Sequence, residues 1–138
     1  MANRLTKGKG LFGSLRTSGP VRAARVSETK AANTVADGAS MVITAAQFYT
    51  DGIVSATPTT GRSIQAPTAA SIIALANGYT TGDTFDFTLI NLAAATHALT
   101  LTVNTGLTIV GSASVAAATS GTFLCRIASS TTVVLYRK

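Results

Sequence analysis

The stretch Gly82-Asp83-Thr84-Phe85-Asp86-Phe87-Thr88-Leu89-Ile90-Asn91 decides the fold class of this chain. Phe85, Phe87 and Leu89 fall on one side of it and Asp86, Thr88 and Ile90 on the other, which is the two-residue period of a β-strand. The aromatic pair marks the buried face. Asp83 stands where its side chain can close the turn that leads in.

Working outward, the same texture recurs on both sides. Residues 41–44 and 47–55 read as a first strand pair, with Asp51-Gly52 as a turn or bulge, and 61–66 reads as a third strand ended by Pro67. Between them and the deciding strand, Ala69, Ile72, Ile73 and Ala76 recur at helical spacing, so 68–77 is expected to be a helix capped by Thr68 and stopped by Gly78. Downstream, Leu99, Leu101 and Val103 alternate with threonines, and Asn104-Thr105-Gly106 reads as the turn of a hairpin running into 107–111. A closing hairpin is expected from 122–128 and 131–137 around Ser129-Ser130. About eight strands and one short helix point to an all-β body, a jelly-roll-like β-sandwich.

Charge divides the chain into two parts. Residues 1–30 hold Arg4, Lys7, Lys9, Arg16, Arg22, Arg25 and Lys30 against Glu28, and the remaining 108 residues balance four basic groups against four acidic ones, so the whole net charge of +6 lies in the first part. That segment has no sustained apolar period and is broken by glycines and Pro20. It reads as a basic extended arm over residues 1–35, leaving 36–138 as the β body. Fully extended, such an arm reaches on the order of 100 Å at about 3.3 Å per residue. The body, by contrast, has far fewer charges than the roughly 25% of an ordinary soluble domain. Its surface is expected to be Thr, Ser and Ala, or to be covered in an assembly.

Two strands strengthen the second expectation. Leu124 lies opposite Phe123, Cys125 and Ile127, and Val134 and Tyr136 lie opposite Val133 and Leu135, so both strands are apolar on both faces. A second apolar face in a charge-poor body points to a subunit interface of Leu124, Val134 and Tyr136 edged by Arg62 and Arg126. The competing reading is a central strand covered by the helix at 68–77. Arg62 could pair with Asp83 or Asp86 or bridge to a neighbour, but for it and Arg126 alike the expectation is first an ordinary surface charge.

The side chains that carry catalysis are scarce. His97 is the single histidine and sits in a turn before a strand, Asp83 and Asp86 are the one close pair of carboxylates, and Cys125 is the single cysteine, flanked by apolar residues. None of these forms a metal-ligand cluster or a nucleophile with its base. Lys7-Gly8-Lys9-Gly10 lacks the spacing of a phosphate loop, and no serine occupies a Gly-x-Ser-x-Gly elbow. The expectation is a protein that is not an enzyme, with no cofactor and no metal. The runs 64–76 and 113–118 are too short to span a bilayer, so no membrane partner is expected. The arm matches a transit peptide in composition, but its glycines and Pro20 spoil the amphipathic helix such a signal needs, and no secretory signal is read.

The segments Thr60-Gly61-Arg62-Ser63-Ile64, Pro67-Thr68-Ala69-Ala70, Gly82 to Asn91 as quoted above, Gly106-Leu107-Thr108-Ile109-Val110-Gly111 and Val133-Val134-Leu135-Tyr136-Arg137 together give a texture that resembles the small capsid decoration, or cement, proteins of tailed phages and related viruses. The resemblance covers roughly residues 40–138 and lies in the order and character of the segments. It implies a compact β domain, a homotrimer on the outside of an icosahedral head, with the major capsid protein as partner and the virion surface as location. It also implies a terminal arm laid over the shell. From charge, the capsid-binding contacts of that arm are expected at Arg4, Lys7, Lys9, Leu11, Phe12, Arg16, Arg22, Arg25 and Lys30. Two other classes stay open: a trimeric fibre or receptor-binding β module, and a nucleic-acid-binding virion protein. The nucleic-acid class is the weaker of these, because the arm carries one aromatic residue, Phe12, and the body no basic face.

Overall fold

The computed structural model describes residues 29–138. Among these residues ten strands form two sheets, in an all-β body with one short α-helix and one π-helical turn. In chain order the strands are β1 (Ala32–Val35), β2 (Met41–Val42), β3 (Ile53–Ala56), β4 (Arg62–Gln65), β5 (Thr84–Asn91), β6 (Leu99–Thr102), β7 (Leu107–Val110), β8 (Ser114–Val115), β9 (Thr119–Ile127) and β10 (Val133–Arg137). The larger sheet has the order β1-β3-β5-β9-β10-β7 and the smaller β2-β4-β6-β8.

The chain passes from one sheet to the other at every step from β1 to β9. As far as β6, each strand reached after crossing to the far layer and returning runs in the same direction as the one it left. Hence β1, β3 and β5 are mutually parallel in the larger sheet, as are β2, β4 and β6 in the smaller. Five of the eight pairings among the described residues are parallel, counting that of β7 with β10. This departs from the antiparallel Greek keys of a jelly roll. The antiparallel pairings are those of β9, held between β5 and β10, and of β6 with β8.

The alternation between layers corrects two expected hairpins. β6 and β7 do not pair: the turn at Asn104-Thr105-Gly106 carries the chain from the smaller sheet to the larger. Likewise β2 and β3 lie in different sheets, and most of 47–55 is not strand, because Ala46–Asp51 is a single π-helical turn. Thr44 and Gln47 start that turn reciprocally. The Thr44 N–H donates to the Gln47 side-chain oxygen at 3.0 Å, and the Gln47 N–H donates to Thr44 Oγ1 at 3.2 Å. Gly52, at φ 69°, ends it. The closing hairpin forms as expected, with Val133 opposite Ile127.

The helix also forms: α1 (Ala69–Leu75) starts with the Ser71 N–H donating to Thr68 Oγ1 at 3.2 Å. It buries Ala69 and Ile72 and packs against the π-helical turn, not over the outer face of β9 and β10. The β body takes in residues before 36, since β1 occupies the last residues of the expected arm and forms an edge of the larger sheet.

Between the sheets lies one core. Phe87 stacks on Phe48 from the π-helical turn at a centroid distance of 4.2 Å and neighbours Phe123 at 6.3 Å. Phe85 meets Phe48 and Tyr49 edge to face. Ile64, Ile72, Leu89, Leu99, Leu101, Ile127 and Leu135 fill the rest. Fully burying a large apolar side chain stabilises by about 1.5–3 kcal/mol, so the deciding strand, with Phe87 and Leu89 both buried, anchors the body.

Candidate interaction surfaces

The strand period that buries Phe87 and Leu89 sends Asp86, Thr88 and Ile90 to the outer face of the larger sheet. Register then places their neighbours. Asp86 is opposite Leu124, Thr88 opposite Thr122 and Thr84 opposite Arg126. On the far side of β9, Leu124 is opposite Tyr136 and Arg126 opposite Val134. Tyr136 is in turn opposite Val110, and Val134 opposite Thr108. Four of the five residues expected at a subunit interface, Leu124, Arg126, Val134 and Tyr136, therefore share one face, and α1 does not cover it.

Arg62 is the exception and is corrected. It starts β4 in the smaller sheet, and its Nε donates to Asp37 Oδ1 at 2.8 Å. Asp37 also accepts from the Thr59 hydroxyl and from the Thr59 N–H at 3.2 Å. The Arg62 guanidinium, helped by Thr59, holds the Asp37 carboxyl down at about 2. The cluster ties the segment after β1 to the loop before β4, within one chain. Asp86 pairs not with Arg62 but with the Lys138 ammonium, at 2.8 Å on the outer face. Asp83 closes its turn as expected, its carboxylate accepting from the Thr80 N–H at 2.8 Å.

Of the expected arm contacts only Lys30 is among the described residues, and its ammonium lies beside Gly52. Arg4, Lys7, Lys9, Leu11, Phe12, Arg16, Arg22 and Arg25 lie outside them.

Two surface clefts lie among the described residues. One, of about 560 Å³, opens between β6 and β7 and is lined by Leu101, Val103, Leu107, Ile109, Gly111 and Ala113. It is apolar and holds no titratable side chain. The other, of about 500 Å³, lies where β5 ends and β9 begins, between Leu92 and Thr119. Neither gathers groups that could perform acid–base or nucleophilic chemistry.

The residues weighed for chemistry take structural places. Cys125 is fully buried among core residues, and burial, followed by the nearby negative charge of Asp86, pushes its thiol well above the ordinary range. His97 offers its backbone carbonyl to Asn91. Among the described residues no three His, Cys, Asp or Glu side chains come together as a metal site, and no helix is long and apolar enough to cross a membrane.

Two polar placements escaped the sequence reading. Asn91, the last residue of β5, is completely buried and uses its whole amide. It donates to the carbonyls of His97 at 2.8 Å and Val115 at 2.9 Å and accepts from the Ala93 N–H at 3.0 Å. Arg137 lays its guanidinium across Gly121 and over the Phe123 ring, 5.1 Å from the centroid, with Nη1 buried and unpartnered. A side chain at position 121 would occupy the space that the guanidinium fills. The polar ring of short residues at 119–122 was the available signal, since a strand interrupted by glycine implies a close approach.

No family model, curated protein or solved structure matches the chain.

Proposed function

We propose that this is a virion structural protein of the capsid decoration class, binding the outer face of a major capsid shell and stabilising it, with its basic N-terminal segment as the principal contact. The observation that carries the reading is the division of charge: the net +6 lies in residues 1–30, attached to a β body that is neutral overall. A neutral platform bearing a long basic tether suits attachment to an extended acidic surface through many distributed contacts. Such a ligand stabilises the assembled shell by mass action, because it binds the closed lattice and not its separated parts. The apolar residues Leu11 and Phe12, spaced among the basic ones, would seat between capsid subunits.

Cosedimentation with expanded, empty capsids tests this directly. Full-length protein is expected to bind and to raise the temperature at which the shells open, and removal of residues 1–30 to abolish both effects. Absence of binding, or binding indifferent to that deletion, refutes the reading. Duplex DNA is the second arm of the same experiment. A log–log salt slope near −6, from about −0.9 for each phosphate neutralised by seven basic groups, would favour the nucleic-acid class.

A further inference from the structure

The turn between α1 and β5 carries the one Asn-Gly pair of the chain. From its surroundings we infer that Asn77-Gly78 is a site of spontaneous deamidation, at which the Gly78 backbone nitrogen attacks the side-chain carbonyl carbon of Asn77. Such an attack needs an untethered side-chain amide, an unengaged N–H on the following residue and little bulk beside it. Asn77 and Gly78 are both exposed, and neither the Asn77 side chain nor the Gly78 N–H has a hydrogen-bond partner among the described residues. Gly78 stands at φ 70°, and nothing lies within 4 Å of the place a Cβ on it would take. The two residues form the centre of a turn closed by the Tyr79 N–H donating to the Ala76 carbonyl at 3.0 Å. Turning the peptide plane between them, which brings the nitrogen onto the side chain, has that one bond to break.

The structure protects the other candidates. Asp51-Gly52 could close the same ring, but the Asp51 carboxylate accepts from Asn33 Nδ2 at 2.9 Å and the Gly52 N–H donates to the Gln47 carbonyl at 3.0 Å. The Asp37 carboxylate, before Gly38, is held by Arg62 and Thr59. Asn33 is tied to Asp51, Asn91 is buried with its whole amide in use, and Asn104 accepts from the N–H of Thr105, a β-branched neighbour. At Asn77 the atoms balance without an oxidant or reductant. As the N–Cγ bond forms, the Cγ–Nδ2 bond breaks, and ammonia leaves with the proton of the Gly78 N–H. Water then opens the resulting succinimide at either carbonyl. Opening at Cγ gives aspartate, and opening at the main-chain carbonyl gives isoaspartate, whose main chain runs through Cβ and Cγ. Either product sets a carboxylate just past the C-terminal end of α1, where the helix carbonyls disfavour negative charge. The second also lengthens by one methylene the link to β5, just before Tyr79, which packs against the core.

The inference does not rest on the decoration role and fails separately from it. The full chain is held folded at mildly alkaline pH beside a sample unfolded in guanidinium chloride, and mass spectrometry of chymotryptic peptides follows each asparagine with time. Each conversion raises the mass by the difference between an NH2 and an OH group and removes one positive unit of net charge. In the folded chain Asn77 is expected to convert at a rate within about tenfold of its rate in the unfolded chain, the most by which one turn hydrogen bond slows a local rearrangement. Asn91 has to wait for unfolding, so its folded rate is expected to fall well beyond tenfold below its unfolded one. Asn77→Gln, on the surface and with a longer side chain that closes a larger ring far more slowly, is expected to keep its charge over the same interval. Asn77 slowed by folding more than about tenfold, or as strongly as Asn91, overturns the inference. So does an Asn77→Gln chain that gains negative charge as fast as the native one.

Discussion

Replacing Asn91 with alanine should remove about 4 kcal/mol of stability without touching a hydrophobic side chain. The amide makes three hydrogen bonds, and two of them, to the Val115 carbonyl and from the Ala93 N–H, are buried. Truncation strands both groups away from water, at about 1–3 kcal/mol each. The His97 carbonyl is partly exposed and recovers a water, so its loss adds little. The sum is a large share of the roughly 5–15 kcal/mol that holds a domain of this size. At about 4 °C per kcal/mol, the melting temperature should fall by on the order of 15 °C. Urea unfolding followed by circular dichroism measures the difference at 25 °C. Asn91→Asp sharpens the test, because a carboxylate keeps the acceptor for Ala93 but turns negative oxygen toward two carbonyls. That variant should be at least as damaged at neutral pH and should regain stability on acidification, when the protonated acid can donate one bond. A loss under about 1 kcal/mol for Asn91→Ala, or an Asn91→Asp variant insensitive to pH, would show that the amide does not clamp β5 to β8 and the loop between β5 and β6.

Two further perturbations probe other joints of the body. Gly106 sits at φ 80° where the turn before β7 meets the Thr131 carbonyl and the Ala69 side chain, both closer than a Cβ tolerates. Gly106→Ala should therefore cost about 3 kcal/mol, from the left-handed backbone plus the clash with fixed atoms, read as a lowered urea midpoint with an unchanged slope. For Asp37, the carboxyl is depressed to about 2 in the folded chain from an ordinary 3.8, so its contribution is complete above about pH 4 and is lost as pH falls through 2. Asp37→Asn should flatten that part of the acid stability profile, and carboxyl titration by NMR should place the native group near 2. A native carboxyl titrating at its ordinary value would dissolve the Arg62–Asp37–Thr59 cluster.

What the sequence disclosed and what it withheld follow from the range of the interactions involved. Strand period is local: alternation within 84–91 and within 122–137 placed Phe87, Leu89, Phe123, Cys125, Ile127, Val133 and Leu135 inside and Leu124, Val134 and Tyr136 outside, as found. The cap at Thr68 and the turn at Asp83 are also local, three residues or fewer from their partners. Layer assignment is not. Whether Asn104-Thr105-Gly106 folds β6 back onto its neighbour or carries it across the sandwich depends on packing between Gly106, Ala69 and Thr131, residues from three distant segments. Arg62 likewise found Asp37, twenty-five residues earlier, because β1 and β2 flank the loop before β4, an arrangement that alternation alone does not encode. Thr44-Ala45-Ala46-Gln47 did carry a legible capping pattern, and the β-branched residues around it drew the reading toward strand.

The parallel winding of β1 to β6 bears on how the two halves of the chain cooperate. Parallel neighbours require a full crossing for every strand added, so the first half of the body depends on contacts distant in sequence. The last third closes through β9, whose antiparallel pairs with β5 and β10 join the wound half to the β10–β7 edge. β9 is therefore both the keystone of the larger sheet and the strand that presents Leu124 outward, between Asp86 on β5 and Tyr136 on β10. Its inner residues, Phe123, Cys125 and Ile127, are fixed in the core, so the outward side chains are held in register by the same strand that stabilises the fold. β1, the first strand of the described chain, forms the opposite edge of the same sheet, five strand positions from β7, so in this sheet the two halves of the body meet only through β5 and β9.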